Sequence, residues 1–247
     1  MTPANRATSG SPGSPAPLLV LCALGPELWA LRRGDWSGAA GGPPVLVRTG
    51  MGRRRAGLAV RRLLTAPPGG YGALVVAGFG AAVAPGTSPG DIIVANGVRD
   101  AEGNFFAVGS GPALTRSLQS RGLTVHTGVH HTADHVVRGL ERRALHAQGA
   151  LAVDMEAAAV LACLQELRPG ATTGQDGGLP AAVLRVVVDT PERELIRPGT
   201  LPAGLRAWRT LRAAVPALVD WHRQSCRPPA EHHRTHPTSS TLPQEAS

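Results

Sequence analysis

The sequence contains no lysine, so all 25 of its basic side chains are arginine. This absence excludes a lysine Schiff base, a P-loop lysine and a lysine general base. Aromatic residues make up only 3% of the 247 residues, and the arginines are scattered along predicted helices rather than set beside exposed aromatics. That pattern argues against nucleic-acid binding, while the net charge of +8 leaves contact with an anionic membrane surface open.

Cysteines and long apolar runs are also scarce. Cys22, Cys163 and Cys226 are far apart and odd in number, which predicts neither a disulfide framework nor a zinc site and favours a reducing cytoplasm. The apolar run Leu18–Leu24 is long enough for a strand but too short to cross a membrane. A chain of this length is sufficient for one α/β domain with a full core.

Strand-like apolar runs alternate with helical segments along the chain. The predicted strands are Leu18–Ala23, Val45–Thr49, Ala73–Ala77, Asp91–Ala95, Thr124–Gly128, Ala150–Val153 and Ala181–Val188. The predicted helices begin at Gly25, cover Arg53–Leu64 and Pro112–Arg121, run from His130 to about Gln148, follow Asp154 to Leu164, and close with Leu201–His222. This alternation predicts one α/β domain over residues 17–226 with a largely parallel sheet. Residues 1–16 and 227–247 are predicted to be disordered.

Carboxylates stand where predicted strands end. Asp154 and Glu156 follow Ala150–Val153, Glu27 lies in the first turn after the first strand, and Asp189 lies at the mouth of the last. Ligands bind at the carboxyl ends of strands in open α/β sheets, which makes these side chains candidates for a site. The alternative is that each caps a helix or complements its dipole, and for Asp154 this is the favoured interpretation.

Two glycine-containing segments also follow predicted strands. Gly50-Met51-Gly52 precedes a helix that begins with Arg53, and such a turn can hold an anion on its backbone N–H groups. Gly78-Phe79-Gly80 follows a buried strand, where small residues let a ligand approach the backbone closely. A plain tight turn is the alternative interpretation of this second segment.

A histidine-rich segment, His130-His131-Thr132-Ala133-Asp134-His135, invites a comparison with metal sites. Neighbouring residues on a helix or strand point in different directions and do not easily converge on one ion. We therefore predict no metal site. The segment Gly97–Phe106, which carries the Phe105-Phe106 pair, is predicted to be irregular.

An ordered set of motifs resembles the nucleoside phosphorylase and nucleosidase superfamily. The matching segments are Leu19–Glu27, Thr49–Gly52 with Gly57, Gly78–Ala95, Val153–Val160 and Leu184–Asp189. The Asp-Met-Glu-Ala-Ala run is the most specific of them. The chain resembles the nucleosidase branch, which includes 5′-methylthioadenosine/S-adenosylhomocysteine nucleosidase, and is most similar to hopanoid-associated phosphorylase-like proteins. The resemblance implies a central mixed sheet flanked by helices, a site at its carboxyl end and a homodimer, with no cofactor.

The resemblance also implies roles for individual residues. Glu156, with Met155 beside it, matches the glutamate that binds the ribose 2′- and 3′-hydroxyls. Asp189 matches the aspartate that donates a proton to purine N7, a role that needs a protonated carboxyl near neutral pH. Glu27 matches the glutamate that orients and deprotonates the attacking water. Val136 falls where the backbone faces the base, and Gly78, Phe79 and Gly80 are also matched to the binding of the base.

The chain departs from the family pattern in two places, one at Val76 and Phe79 and the other at Val188. Phosphorylases that use phosphate tend to carry an arginine and a serine or threonine where this chain has Val76 and Phe79. We therefore expect hydrolysis of an adenosine-type nucleoside with release of adenine, on a substrate with an apolar 5′ group such as adenosylhopane. The alternatives are a phosphorylase that binds its anion at Gly50, Gly52 and Arg53, and a non-catalytic nucleoside-binding module. Val188 also replaces a common serine before Asp189.

Overall fold

The computed structural model describes residues 15–65, 70–168, 178–191 and 200–226. Within these ranges, strands and helices alternate along most of the chain. The strands are β1 (Leu18–Cys22), β2 (Val45–Arg48), β3 (Ala73–Ala82), β4 (Ile92–Asp100), β5 (Phe105–Ala107), β6 (Val125–Thr132), β7 (Ala150–Asp154) and β8 (Ala181–Asp189). The helices are α1 (Gly25–Arg32), α2 (Arg53–Thr65), α3 (Gly111–Gln119), α4 (Gly139–Ala147), α5 (Ala157–Leu167), α6 (Thr200–Ala213) and α7 (Val215–Ser225).

All of these strands belong to one mixed sheet. β1 lies between β2 and β3 and is parallel to both. β8 inserts between β3 and β4, parallel to the first and antiparallel to the second. β4 pairs with β6, β6 with β7, and β7 returns to the end of β3. The strands β3, β8, β4, β6 and β7 therefore form a closed ring, and the predicted central mixed sheet is confirmed.

Helices cover both faces of the sheet, as the alternation of strands and helices predicts. Because successive residues of a strand point to opposite faces, Leu18 and Val20 of β1 pack in one apolar cluster while Leu19 and Leu21 pack in the other. The first cluster includes residues of α1, α3, α6 and α7, and the second includes residues of α2 and α5. This three-layer arrangement is a single-domain α/β fold.

The alternative interpretation of Gly78-Phe79-Gly80 as a tight turn is wrong, because β3, predicted to end at Ala77, continues through this segment to Ala82. Gly78 and Gly80 pair with Arg185 and Val187 of β8 along a parallel ladder. Their small size serves neighbouring side chains: a Cβ added to Gly78 would lie 2.5 Å from Oε1 of Glu27, and one on Gly80 would lie 2.9 Å from Cβ of Arg185. The glycines make room for side chains instead of bending the chain.

Three other predicted boundaries are also wrong. The helix predicted from His130 begins only at Gly139, because His130 to Thr132 extend β6 and pair with both β4 and β7. The segment predicted as irregular forms the β4–β5 hairpin, whose turn is closed by Asp100 accepting backbone N–H bonds from Glu102 and Asn104 at 3.0 and 2.8 Å.

The predicted closing helix is divided into α6 and α7 by a break at Ala214, and Pro216 lies in the first turn of α7. Proline is favoured at that position because it has no backbone N–H that would be left unpaired in the first turn. Residues 1–14 and 227–247 lie outside the described residues, so the disordered leader and tail stay predictions, as do the outer limits of the domain. None of the described helices is long and apolar enough to cross a membrane.

Candidate functional site

A cleft of about 290 Å³ opens where β1, β3, β7 and β8 end. It lies at the carboxyl edge of the strands, as expected for ligand sites in α/β folds. The predicted site residues that line the cleft are Glu27, Phe79, Gly80, Val136, Met155, Glu156 and Asp189. Those that do not line it are Gly50, Gly52, Arg53 and Gly78.

Glu27 is 2% exposed and bonded entirely to backbone N–H groups. Because α1 begins directly after β1, its carboxylate turns back onto the strand end, where Oε2 accepts the N–H groups of Ala23 and Leu24 at 2.8 and 2.7 Å. Oε1 accepts the N–H of Phe79 at 2.6 Å. Burial raises the pKa of Glu27, against the opposing effects of the Arg185 charge and these N–H bonds. A carboxylate with a raised pKa is a stronger base.

Arg185 of β8 lies among the carboxylates of the cleft and is 1% exposed. Its Nε and Nη2 donate to Oδ2 of Asp154 at 3.0 and 2.7 Å, and Nη2 lies 3.6 Å from Oε2 of Glu156. The absence of a side chain at Gly78 lets Glu27 approach the same guanidinium. Arg185 therefore provides one positive charge that three carboxylates share.

Asp154 has a structural role at the end of β7. Its Oδ1 accepts a hydrogen bond from the Thr132 hydroxyl at 2.7 Å and the N–H groups of Glu156 and Ala157 at 3.2 Å, so it caps the start of α5 as the favoured interpretation stated. Burial alone would raise the pKa of Asp154, but the charge of Arg185 and the Thr132 bond hold it below its ordinary value. Asp154 therefore carries a negative charge.

Glu156 follows β7 and is 7% exposed. Its Oε1 accepts the backbone N–H of Gly52 at 2.8 Å, and burial raises its pKa. The turn Gly50-Met51-Gly52, a candidate anion site, therefore has the N–H group of Gly52 already bonded to Glu156. Arg53, the cation expected there, instead pairs with Glu102 at 2.6 Å on the surface.

Asp189, at the end of β8, is paired with Arg142 of α4. Nη1 and Nη2 of Arg142 donate to Oδ1 and Oδ2 of Asp189 at 3.2 and 2.5 Å, and both residues are buried. The family resemblance implies a proton donor at this position. In the structure both oxygens of Asp189 are acceptors, a contact that sequence reasoning missed.

Apolar side chains form the rest of the cleft, among them Met51, Phe79, Val136 and Met155. Met51 and Val136 are 54% and 61% exposed, which puts them at its mouth. The histidine-rich segment is divided between interior and surface. His130 is buried in β6, and burial lowers its pKa to about 4, while His135 pairs with Asp134 and Glu141 on the surface.

Arg142 and Arg185 were both missed because their sequence surroundings look ordinary. Arg142 belongs to the run Glu141-Arg142-Arg143, which is typical of a solvated helix face. Arg185 interrupts an apolar strand buried on both faces. A charge at such a position requires a partner, and this is the signal that indicates a carboxylate beside it.

Residues 24–201, well over half of the chain, match the model of the phosphorylase superfamily. No curated protein sequence matches the chain. Among solved structures, the chain is similar to futalosine hydrolase of Helicobacter pylori, at 16% identity and a TM-score of 0.66 over 83% of this chain and 97% of that one.

The chain is also similar to two 5′-methylthioadenosine/S-adenosylhomocysteine nucleosidases. For that of Neisseria meningitidis, the identity is 18% and the TM-score 0.64, over 83% of this chain and 98% of that one. For that of Campylobacter jejuni, the values are 13% and 0.67, over 85% and 99%. These likenesses agree in fold with the family match and with the order of the motifs. The chain belongs to the phosphorylase superfamily.

Proposed function

We propose that the protein is a nucleosidase that hydrolyses the N-glycosidic bond of an adenosine-type nucleoside and releases adenine. The observation that carries this proposal is the convergence of Glu27, Glu156 and Asp189 in one cleft of about 290 Å³. Each of the three comes from a different strand end, and each has contacts that suit a different task. The names of the similar solved structures, which are nucleosidases or a hydrolase, agree with it.

Glu156 is suited to binding the ribose. A carboxylate has about four acceptor positions, and two backbone N–H groups, those of Gly52 and Met155, are bonded to that of Glu156. It therefore has acceptor positions left for the two hydroxyls of a cis-diol. A negative charge beneath the sugar also stabilises the positive charge that develops on the ribose as the C1′–N9 bond lengthens.

Glu27 is suited to activating water. Three backbone N–H bonds fix its carboxylate, and burial raises its pKa, so it takes a proton from water more readily than an ordinary glutamate. The water oxygen bonds to C1′ while the electron pair of the C1′–N9 bond goes to the purine. Asp189 lines the same cleft and serves the leaving base, whose N7 takes up a proton.

The charges of the cleft favour water over phosphate as the nucleophile. Four buried carboxylates, Glu27, Asp154, Glu156 and Asp189, face two buried guanidiniums, Arg142 and Arg185, while Arg138 is exposed at the rim. Such an excess of negative charge repels a phosphate dianion and attracts a developing cation. Val76 and Phe79 take the positions at which phosphorylases tend to carry anion ligands, and Gly52 and Arg53 are engaged elsewhere.

The apolar lining supports a substrate with an apolar 5′ group, and adenosylhopane is the substrate that we propose. Met51 and Val136 are more than half exposed at the mouth of the cleft, and Leu140 nearby in the chain is 74% exposed. Apolar residues exposed around a cleft are typical of surfaces that a partner or ligand covers.

We further propose a homodimer that covers this rim. Light scattering of the wild type and of Val136→Glu tests it.

The α1–α6 surface supports contact with an anionic membrane. Trp29 and Leu205 are 53% and 48% exposed, and Arg33 stacks 5.4 Å from the centre of the Trp29 ring. The exposed arginines on these two helices and at the C-cap of α1 are Arg32, Arg33, Arg206, Arg209 and Arg212. Tryptophan and arginine together suit the interface of an anionic bilayer. Sedimentation with anionic and with neutral vesicles tests this contact. For the location of the protein we propose the cytoplasm, with which the three unpaired cysteines agree.

The decisive experiment is to follow base release by chromatography from 5′-substituted adenosines, with and without phosphate. We expect adenine release without phosphate, and its loss in Asp189→Asn. Glu166→Gln, which changes an exposed carboxylate of α5, is the matched control and keeps full activity. Strict phosphate dependence identifies a phosphorylase instead, and tight purine binding without release identifies a binding module.

A further inference from the structure

Both residues of the buried ion pair Arg142–Asp189 line the cleft, whereas only Asp154 of the buried pair Arg185–Asp154 does so. Both hydrogen bonds of the pair, at 3.2 and 2.5 Å, connect the end of the Arg142 guanidinium to the two oxygens of Asp189. The Nε of the same guanidinium donates to the carbonyl oxygen of Val137 at 3.2 Å. The backbone of Val137 therefore fixes the guanidinium of Arg142 at Nε, while the two Nη atoms of Arg142 fix the carboxylate of Asp189.

Packing alone does not account for a charged side chain in this place. Arg142 is 2% exposed, whereas its neighbour Arg143 is exposed like most of α4. A buried ion pair adds little net stability compared with apolar side chains of the same volume. What a two-point arginine–carboxylate pair provides is a defined orientation of the carboxylate plane. Arg142 also lines the cleft, so the orientation is set where the substrate would lie.

We propose that Arg142 is the positioning residue for Asp189, and that it acts on the departure of the purine through that carboxylate. This inference rests on the proposed nucleosidase function. The longer of the two bonds, Nη1 to Oδ1 at 3.2 Å, gives way when the base binds, while Nη2 keeps hold of Oδ2. Oδ1 is then the oxygen that faces purine N7.

In the proposed step, one proton passes through each of the carboxylates Asp189 and Glu27. Oδ1 of Asp189 takes a proton from solvent and passes it to N7 as the electron pair of the C1′–N9 bond moves onto the purine. Water gives one proton to Glu27 and bonds to C1′ through its oxygen. Glu27 then returns its proton to solvent, so the products are the neutral base and the free sugar.

The test compares two leaving groups in the same enzyme preparations. A purine nucleoside needs a proton at N7 to leave, whereas 4-nitrophenyl β-riboside releases a stable phenolate and needs none. The variants are Arg142→Met, Arg142→Lys, Asp189→Asn and the double variant Arg142→Met with Asp189→Asn. Arg143→Met, one position along the same helix and exposed, is the matched control.

We expect Arg142→Met to lower kcat for the purine nucleoside by about 10²-fold, the size of effect that a misplaced reacting group produces. Turnover of the nitrophenyl riboside stays within about twofold of wild type, which also shows that the fold and the water-activating side are intact. Arg142→Lys keeps the charge but not the two-point geometry, so its kcat for the purine also falls. The double variant is no slower than Asp189→Asn alone, because Arg142 acts through that residue.

Several results would overturn the assignment. Equal losses on both leaving groups would mean that Arg142 only supports the structure of the cleft, and full purine activity in Arg142→Met would mean that it has no part in the reaction. Full activity in Arg142→Lys would replace positioning with a simple effect of charge. If the wild type releases no base from any purine nucleoside, the proposed function itself fails, an outcome distinct from all of these.

Discussion

The replacement Arg185→Met tests how the cleft tolerates its buried charges. It removes the guanidinium that makes two hydrogen bonds to Asp154 and lies near Glu156 and Glu27, while keeping much of the side-chain volume. Breaking a buried ion pair by removing one partner costs about 3–5 kcal/mol, because it leaves a buried charge uncompensated. Domains have only about 5–15 kcal/mol of total stability, so we expect a folded but clearly weakened variant at pH 7.

The loss should depend on pH, with a sign that the structure determines. In the wild type, Arg185 holds the pKa of Asp154 below its ordinary value, so the pair stabilises the fold above the unfolded pKa of about 3.9 and this stabilisation is lost as pH falls. Without Arg185, burial raises the pKa of Asp154. The protonated form then stabilises the fold at low pH, and this contribution is lost as pH rises. The difference in unfolding free energy between variant and wild type therefore shrinks as pH falls from 7 towards about 3.9, by at most about 1.4 kcal/mol per pH unit.

Urea unfolding at pH 7 and pH 5, followed by tryptophan fluorescence, measures both effects, since Trp221 is fully buried in the core. Adding Asp154→Asn to Arg185→Met removes the stranded charge and should recover part of the loss. Arg121→Met is the control, because Arg121 pairs with Asp220 at 2.7 Å on the surface, where a pair contributes at most about 1 kcal/mol. A loss below about 1 kcal/mol in Arg185→Met at pH 7, or an equal loss at both pH values, would refute the reasoning.

Three further predictions concern single positions. Because burial raises the pKa of Glu27 and its ionised form is needed, kcat/KM should fall with decreasing pH at a point above the ordinary glutamate value of about 4.3, and a limb at or below that value contradicts the role. Gly78→Ala places a Cβ 2.5 Å from Oε1 of Glu27 and should lower kcat strongly. The control Gly57→Ala, which has open space around it in α2, should keep activity and raise the unfolding temperature. Equal activity of the two variants would contradict the steric argument. Burial raises the pKa of Cys22 to about 12, so its thiol should not react with Ellman's reagent in the native protein at pH 8 and should react in urea. Three reactive thiols in the native protein would contradict the burial of Cys22.

The placement of the carboxylates could be predicted because strand ends are marked by simple patterns. The apolar runs before Glu156 and Asp189 indicate buried strands, and a helical pattern follows Glu156 directly, so the junction is identified by residues on both sides of it. The partner residues carry no such local mark. Arg142 lies in a basic run that is typical of a solvated surface, and its partner Asp189 is 47 residues away in the chain.

The errors in the predicted boundaries have the same physical origin. Gly78 and Gly80 allow a turn when only neighbouring residues are considered, but β8 pairs with them as a strand, and Glu27 and Arg185 fill the space beside them. The segment beginning at His130 is polar enough to suggest a helix start, yet β4 and β7 on either side pair with it as a strand. Contacts between distant segments outweigh local preference in both cases.

The insertion of β8 between β3 and β4 also determines when the site is completed during synthesis. Both neighbours leave the ribosome long before Ala181–Asp189, so until β8 arrives they have unpaired edges at the centre of the molecule, the kind of edge that pairs with other chains. Pairing over such a sequence distance is slow to form. The same late strand carries Arg185 and Asp189, and a chain interrupted before it therefore has neither a closed sheet nor a complete cleft.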